Sequence, residues 1–482
     1  MTGQKRFIGR KTELESLNRT FKQKGFTMTV ITGRRRIGKS TLIAEFIKDK
    51  KAIYYTASKV GQRRNLELLT DQVVRILDPD VSGAAFRSTE GLLDFITNKL
   101  GLEKLVFVID EFPYWAENNE ELLSILQKYI DTKWKEKNLY LILCGSSLSF
   151  MEDKVLSEKS PLFGRRDSQI HLKEFNYLEA AEFVPNYSYE DQAVCFGVTG
   201  GVAKYLSMFD PDKTLDENIQ ALYFKSDGYL YDEPHNLLTQ EFTDVTIVNN
   251  VIEQIAEGEN TLNLIADKIH ENPSTVSYSL NRLISTGLVE KKYCITEENN
   301  RKKIQYVLKD NMFKFWYEFI PEAVSVIEIG HGEDYYNRLV KPRLHAYMGR
   351  IFEEMCRYFT LLKGISGEFG CFLTKVGTWW GTEKIAVPGR KQYYQSADID
   401  VVGISTVDKT IVVGECKFKN EKIDENVYDT LIRRSKAIEG PYRLGAILLF
   451  SLSGFSDWFM THKDDSMKLY TLEDLYHPSS SL

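Results

Sequence analysis

Residues 33–41 carry the glycine, lysine and hydroxyl groups that can bind the phosphates of a nucleotide. They read GRRRIGKST and contain the spacing G-x-x-x-x-G-K-S. Glycine lets the backbone N–H groups turn towards a phosphate, Lys39 reaches the β- and γ-phosphates, and the Ser40 hydroxyl is a ligand for Mg²⁺. The spacing predicts an ATP site made of Gly33, Arg34, Arg35, Arg36, Ile37, Gly38, Lys39, Ser40 and Thr41.

Two neighbouring carboxylates, Asp110 and Glu111, follow the apolar run LVFVI. An uninterrupted apolar run is typical of a central parallel strand, and ligands bind at the carboxyl ends of such strands. We therefore expect Asp110 to hold the Mg²⁺ shell and Glu111 to polarise the attacking water.

Two later segments supply further polar groups for the same reaction. Ser146 follows the apolar strand that starts at Leu139, where its hydroxyl either senses the γ-phosphate or caps a helix. Arg165 and Arg166 follow Gly164, and arginine stabilises transition-state charge on a γ-phosphate, in its own subunit or in a neighbouring one. A solvated basic turn is the alternative interpretation of this arginine pair.

A second set of reactive side chains lies near the C-terminus. Asp400 and the segment Glu415-Cys416-Lys417 are on adjacent predicted strands joined by a short polar hairpin, and residues two apart on a strand share a face. Asp400 and Glu415 are predicted to bind Mg²⁺ or Mn²⁺, with Glu353 of the preceding helix completing the shell. Lys417 would orient or deprotonate the water that attacks phosphorus. The alternative is an inactive scaffold that retains these groups as an ion-pair network.

The elements that must position these groups follow from apolar periodicity. The β-type run 28–31, the phosphate loop and a helix through Leu42, Ile43 and Phe46 make a strand–loop–helix unit. Between residues 251 and 315 the pattern predicts three short helices and a hairpin, which is a winged helix-turn-helix.

Charge leaves the role of this winged helix open. Residues 241–320 contain nine Lys/Arg against twelve Asp/Glu, so phosphate attraction is weak outside the wing cluster Arg301-Lys302-Lys303. The predicted recognition helix has one cation, Arg282. The module either reads duplex DNA or serves as an arm that docks the ATPase to the last domain.

Composition narrows the class of protein. At 482 residues with 43% hydrophobic residues, the chain is long enough for several domains with cores of their own. The net charge of −6 argues against a globally basic nucleic-acid coat. Six scattered cysteines without C-x-x-C spacing indicate a reducing, cytoplasmic setting, and no apolar run is long enough to span a bilayer.

The motifs GRKTEL, GRRRIGKST, VIDEFPYW, CGSS and PLFGRR, in this order, resemble the archaeal-type ATPase family, a branch of the AAA+-related P-loop NTPases. GGVAKYL resembles that family's lid motif, with Ala203 where proline is frequent. DIDVVG and GECKF resemble a restriction-endonuclease-like domain that often accompanies these ATPases, with Asp398 and Phe418 departing from the frequent residues.

The resemblance implies an α/β fold class in four parts. A P-loop ATPase core (1–170), a helical lid (171–240), the winged helix-turn-helix (241–320) and a restriction-endonuclease-like α/β domain (321–482) follow one another. It also implies a switch that binds and hydrolyses ATP and is coupled to a metal-dependent nuclease, in defence or mobile-element biology. The expected cofactors are ATP and Mg²⁺, with Mn²⁺ as an alternative at the nuclease site. Nucleic acid, above all DNA, and further copies of the chain are the expected partners. A nucleotide-controlled DNA-binding or regulatory protein with an inactive nuclease-like domain is the alternative.

Overall fold

The computed structural model describes residues 7–80, 85–117, 119, 121–385, 393–438, 440 and 442–478. Close contacts divide them into two units. The first unit holds the described residues up to Phe175 together with Val202–Ser207. The second holds Asn176–Gly201 and the described residues from Met208 onward.

The first unit contains a five-stranded parallel sheet in the order β2-β3-β4-β1-β5. Its strands are β1 (Thr27–Thr32), β2 (Ala52–Thr56), β3 (Leu105–Asp110), β4 (Leu139–Gly145) and β5 (Ser168–His171). Its helices are α1 (Lys11–Phe21), α2 (Lys39–Ile47), α3 (Gln62–Leu77), α4 (Thr89–Lys99), α5 (Phe112–Ala116), α6 (Glu121–Tyr129) and α7 (Leu148–Phe150).

The central strands are buried on both faces, as their apolar runs predict. Along β4, Leu139, Leu141 and Leu143 enter one hydrophobic core, while Tyr140 and Ile142 enter another on the opposite face. Side chains alternate along a strand, so a strand between two helical layers must be apolar at every position. Because β4 is inserted between β1 and β3, the residues that follow all three strands meet at one edge of the sheet.

The second unit begins with helices and the winged helix. The helices of the second unit before the winged helix are α8 (Tyr177–Ala181), α9 (Tyr189–Thr199), α11 (Leu215–Tyr223) and α12 (Glu233–Glu241). Helix α10 (Ala203–Leu206) follows α9 along the chain but belongs to the first unit. The winged helix consists of α13 (Val245–Ala256), α14 (Leu262–Ile269), α15 (Pro273–Ser285) and a two-stranded sheet of β6 (Val289–Lys292) and β7 (Gln305–Leu308). The predicted three helices and hairpin are therefore present.

The remaining elements form the C-terminal α/β domain. Its helices are α16 (Asn311–Phe319), α17 (Val324–Glu328), α18 (Gly332–Tyr335), α19 (Leu344–Ile365), α20 (Glu425–Ser435), α21 (Trp458–His462) and α22 (Leu472–Tyr476). Its strands are β8 (Lys375–Ile385), β9 (Tyr393–Ser405), β10 (Thr410–Lys417), β11 (Arg443–Ser451) and β12 (Met467–Thr471). They form a sheet in the order β12-β11-β10-β9-β8, in which β8, β9 and β10 are antiparallel and β10, β11 and β12 are parallel.

Helices α9, α16 and α19 share a core within the second unit. The Tyr347 hydroxyl donates to the carbonyl oxygens of Gly197 (2.7 Å) and Asn311 (2.9 Å). The rings of Phe315 and Phe319 lie 5.5 and 5.8 Å from that of Tyr347. The aromatic run of α16 is therefore packing rather than a surface for stacking bases.

Substitution of one buried and one exposed leucine tests whether the parallel sheet is packed between two layers of helices. Leu141→Ala should lower the free energy of unfolding by about 2–5 kcal/mol, because the side chain is fully buried between helical layers and its loss leaves a cavity. Leu102→Ala, at a position 97% exposed, should change it by less than about 0.5 kcal/mol. Urea denaturation followed by circular dichroism measures both. Equal midpoints for the two variants would contradict a core on both faces of the sheet.

Candidate functional sites

The phosphate loop connects β1 to α2 in a conformation that requires glycine. Gly33 and Gly38 have φ angles of 151° and 93°. A Cβ at Gly33 would lie 2.5 Å from both the Ile37 Cδ1 and the Leu172 carbonyl oxygen, so no larger residue fits. The predicted strand–loop–helix unit is thus formed, with the helix N-terminus at Lys39.

Lys39 is buried and lies across the loop. Its Nζ donates to the carbonyl oxygens of Gly33 (2.8 Å) and Arg34 (3.0 Å). These neutral acceptors hold the ammonium at the centre of the loop, where a phosphate would offer stronger, charge-assisted hydrogen bonds.

The other side chains of the loop have different environments. Arg34 is paired with Glu174 at 3.5 Å, and Arg35 donates to the hydroxyl of Tyr114. Ile37 is buried, and Thr41 is exposed. Arg36 adopts a φ of 71°, which is uncommon for a residue with a side chain. Of the predicted loop residues, the backbone and Lys39 are therefore the groups placed to bind a phosphate.

Asp110 and Ser40 meet at the mouth of the loop. The Ser40 Oγ donates to Asp110 Oδ2 at 2.8 Å, and the Tyr54 hydroxyl donates to the same oxygen. Burial and the Asp110 carboxylate together raise the pKa of Tyr54, so the phenol stays protonated and donates. Hard oxygen atoms from a hydroxyl and a carboxylate are what Mg²⁺ prefers, and this pair fits the ion that accompanies ATP.

Glu111 is placed beside Ser146, as the position of β4 between β1 and β3 requires. The Ser146 Oγ and N donate to Glu111 Oε2 at 2.7 and 3.3 Å. Glu111 also has φ 51°, in the left-handed region, which is strained for a residue with a Cβ. Ser146 therefore holds the carboxylate that was predicted to polarise water, and it does not cap a helix.

The prediction that Arg165 and Arg166 act within their own subunit is wrong. Asp167 bonds to Met28 at the start of β1, so both arginines lie at the amino ends of the strands. Five residues of strand rise separate that edge from Gly33, roughly 15 Å. Arg165 makes a two-pronged ion pair with Asp131 at 2.8 and 2.6 Å.

Arg166 lies nearby, where its guanidinium donates to the Leu156 carbonyl oxygen at 3.4 Å. Action on a neighbouring subunit and a solvated basic turn both remain as interpretations of the arginine pair.

Two contacts to the loop have no local signal in the sequence. The Arg10 guanidinium donates to the carbonyl oxygens of Ile37 (3.1 Å) and Lys173 (2.7 Å) and lies 3.8 Å from the Phe175 ring centroid. The Lys204 N–H donates to the Arg36 carbonyl oxygen at 3.0 Å. Both partners are far from the loop along the chain, so only the fold brings them together.

The C-terminal domain brings Asp400, Glu415 and Lys417 together where the pairing of β9 with β10 ends. The antiparallel register pairs Val401 with Gly414 and, continued by one residue, sets Asp400 opposite Glu415. The Cys416 N–H donates to Asp400 Oδ2 at 2.9 Å, and the Lys417 ammonium donates to Glu415 Oε1 at 2.5 Å.

Electrostatics of this cluster favour a cation. Burial, with the neighbouring Glu415 and Glu353 carboxylates, raises the pKa of Asp400 to about 7. Burial lowers the pKa of Lys417, but the Glu415 carboxylate outweighs that effect and the pKa is raised overall. Without a bound metal ion, Lys417 is therefore a protonated donor that can orient a water molecule and offset negative charge.

Glu353 is near this cluster but is held by another partner. Its carboxylate pairs with Arg357 at 3.3 Å, and Arg357 also donates to the Asp400 carbonyl oxygen at 3.0 Å and the Thr378 hydroxyl at 3.3 Å. No group of three or more Asp, Glu, His or Cys side chains forms a ready metal cage within the described residues. Asp400 and Glu415 fit a hard divalent cation, whereas Glu353 would first have to leave Arg357. Nothing local in the sequence identified Arg357, one helical turn beyond Glu353.

The single cation of the recognition helix faces inward. The Arg282 guanidinium donates to the Glu241 carbonyl oxygen at 2.8 Å and lies 4.8 Å from the Phe242 ring centroid. Beyond β6, the Ile295 N–H donates to the Thr378 carbonyl oxygen of β8 at 3.0 Å. These contacts favour docking to the last domain over reading of duplex DNA by α15.

Two further predictions concern the whole chain. Each of the six cysteines is a buried free thiol. Among the described residues, no helix combines the length and apolarity needed to cross a bilayer.

Two parts of the chain match the models of known protein families. Residues 7–209 match a family described as "ATPase domain predominantly from Archaea", and residues 316–427 match one described as "Archaea bacterial proteins of unknown function". An uncharacterized protein of Methanocaldococcus jannaschii is 28% identical over 469 residues, covering 93% of this chain and 100% of that relative.

Two solved structures are similar to part of this chain. A Walker-type ATPase of Pyrococcus abyssi has 18% identity and a TM-score of 0.49, with coverage of 65% of this chain and 96% of that one. The ORC2 protein of Aeropyrum pernix, solved as ADPNP–ADP complexes, has 16% identity and a TM-score of 0.44, with coverage of 68% and 97%. With the family match and the geometry of the phosphate loop together, residues 7–209 are an ATPase domain of a predominantly archaeal family, joined in one chain to a C-terminal domain whose family has no known function.

Proposed function

We propose that this protein is an ATP-controlled switch coupled to a metal-dependent nuclease that acts on nucleic acid, above all DNA. The observation that carries the nuclease half is the convergence of Asp400, Glu415 and Lys417 where the pairing of β9 with β10 ends, with burial and then the neighbouring carboxylates raising the pKa of Asp400 to about 7. Perturbed carboxylates beside a lysine are typical of sites that bind a divalent ion and a phosphate.

At the ATP site each side chain has a separate task. The loop N–H groups and Lys39 bind the phosphates, and Ser40 with Asp110 hold the Mg²⁺ that accompanies ATP. Glu111 orients the attacking water once a γ-phosphate is present, and Ser146 sets the direction of its carboxylate. Hydrolysis transfers the γ-phosphoryl group to water, and Lys39 returns to the carbonyl oxygens of Gly33 and Arg34 once phosphate and ADP have left.

Lys39→Ala should abolish ATP binding, because the loop loses the ammonium that neutralises the β- and γ-phosphates. Lys48→Ala, at an exposed position just past the end of α2, is the matched control and should bind ATP as wild type does. Isothermal titration calorimetry measures both. Unchanged affinity of the Lys39 variant would refute the assignment of the loop.

At the C-terminal site a bound Mg²⁺ or Mn²⁺ would acidify water for attack on phosphorus. Asp400 and Glu415 would hold that ion, and protonated Lys417 would orient the water and stabilise charge on the phosphoryl oxygens. Arg357 keeps Asp400 in place through its backbone carbonyl.

Asp400→Ala, Glu415→Ala and Lys417→Ala should each reduce cleavage of a labelled DNA strand by about a hundredfold or more, since each removes an ion ligand or the charge that stabilises the transition state. Asp465→Ala, an exposed aspartate of the same domain, should cut as wild type does. Gel assays with Mg²⁺ or Mn²⁺, with and without ATP, measure this. If wild type and all variants leave single-stranded, duplex and branched DNA intact, the nuclease proposal fails.

The second candidate is a nucleotide-controlled regulatory protein whose last domain is inactive. The ion pairs Lys417–Glu415 and Arg357–Glu353 favour it, because they satisfy the acidic groups without a metal. Failure of cleavage together with normal ATP binding would select this candidate.

Assembly into a homo-oligomer is the arrangement that would let Arg165 act on ATP. At the edge opposite the phosphate loop, it can reach ATP only in another copy of the chain. Glu111→Gln and Arg165→Ala proteins should each be inactive, whereas a mixture should regain part of the ATPase activity because intact pairs form between different subunits. A phosphate-release assay measures the recovery, and an Arg165→Ala protein with full activity would contradict it. Mass photometry with ATP reports the assembly itself.

A further inference from the structure

The wing of the winged helix is fastened to the edge of the C-terminal sheet. Cys294, two residues beyond β6, pairs with Thr378 of β8. The Cys294 Sγ lies 3.5 Å from the Trp380 carbonyl oxygen. The Lys375 ammonium donates to the Ile295 carbonyl oxygen at 3.3 Å and pairs with Glu298 at 3.0 Å. The wing thus makes a single β-bridge to β8, the edge strand of the C-terminal sheet.

This attachment is level with the candidate nuclease site. The register of β8 and β9 shifts between Gly377, which pairs with Val402, and Trp379, which pairs with Ile399. Thr378 therefore lies opposite Asp400 and Val401. Arg357 links the two strands at this level, because it donates both to the Thr378 hydroxyl and to the Asp400 carbonyl oxygen.

Lys292, at the end of β6, faces the nuclease-like cluster. Its ammonium lies 5.8 Å from the ring centroid of Trp380. The charged groups around it are Arg357, Glu353, Asp400 and Glu354. Burial, followed by the nearby Arg357, lowers the pKa of Lys292, although the surrounding carboxylates oppose the shift.

Lys292 differs from the other cations of the cluster because no carboxylate pairs with it among the described residues. Arg357 pairs with Glu353, Lys417 with Glu415, and Lys314 with Glu354. The structure records no hydrogen bond or ion pair from the Lys292 ammonium to any described residue. A half-buried ammonium with three donors to satisfy is suited to an anion that enters from outside.

The preceding residue supplies an internal comparison. Lys291 points to the other face of β6, as alternation along a strand requires. There it lines a groove of about 940 Å³ together with Arg301 and Lys302, and its ammonium lies 6.0 Å from the Tyr306 ring centroid. Two lysines with the same charge on one short strand therefore face different environments.

We propose that Lys292 is a substrate-binding residue of the candidate nuclease, supplied by the winged helix, and that its ammonium holds a backbone phosphate of the nucleic acid at the Asp400–Glu415 site. This inference rests on the proposed nuclease function. The carboxylates repel a phosphodiester, and Lys292 would add its charge to that of Lys417 and the bound ion in offsetting this repulsion. The winged helix is then a fixed wall of the site rather than a reader of duplex DNA.

The test compares Lys292→Gln with Lys291→Gln in the full chain, with Lys292→Arg as the charge-preserving variant. The probe is a fluorescein-labelled oligonucleotide, single-stranded or duplex, bound in Ca²⁺ and cut in Mg²⁺ or Mn²⁺. Lys292→Gln should weaken binding and raise KM by about tenfold, with kcat changed less than about threefold, because one phosphate contact is lost. Lys292→Arg should stay within about threefold of wild type, and Lys291→Gln should match it.

Each result decides the inference. Equal binding by Lys292→Gln and Lys291→Gln overturns it, and so does faster cleavage by Lys292→Gln, which would make the lysine an obstacle. If wild type binds the oligonucleotide but never cuts it, the nuclease proposal fails while the binding comparison still decides the role of Lys292. If wild type neither binds nor cuts, both proposals fail. A Lys292→Arg protein that has wild-type circular dichroism yet binds as weakly as Lys292→Gln also overturns the inference.

Discussion

A charged side chain that is removed from water must find a polar partner inside the protein, and both candidate sites depend on that constraint. Lys39 is held by two carbonyl oxygens, Asp110 by two hydroxyl groups, and Glu415 by Lys417. Each of these partners is weaker than the ligand that the side chain is suited to bind, a phosphate or a divalent cation. The sites are therefore stable without ligands and still have a driving force to exchange partners when ligands arrive.

The phosphate loop offers a route by which such an exchange can reach other parts of the first unit. Arg10 and Lys204 both bond to backbone carbonyl oxygens of the loop, at Ile37 and Arg36. If a nucleotide draws the loop N–H groups towards its phosphates, these carbonyl oxygens would move with them. We expect the segment 202–207 to respond first, because it packs on the loop and continues directly into the second unit along the chain. That is how a switch would transmit the state of its nucleotide.

In the second unit, the winged helix has the fold of a DNA-binding module, and its described contacts pack it against neighbouring parts of the chain. The Arg282 guanidinium of its recognition helix donates to an internal carbonyl oxygen, and its wing forms a β-bridge with the C-terminal sheet at Thr378. An edge strand exposes unpaired N–H and C=O groups, so covering it both prevents aggregation and brings residues from another module to the site. The same contacts that stabilise the edge of β8 thus deliver Lys292 to the acidic cluster.

Much of this arrangement could be predicted from local sequence. The phosphate loop, the strand before Asp110, the hairpin that carries Asp400 and Glu415, and the three helices of the winged module follow from spacing over a few residues, because periodicity and turn chemistry are short-range properties. The tertiary structure alone decided that Arg165 lies at the wrong edge to act within its own subunit, that Arg357 holds Glu353, and that Lys292 and Lys291 face different sites. Those facts depend on strand order and register between segments that are distant along the chain, and side chains acquire such neighbours only when the sheets form.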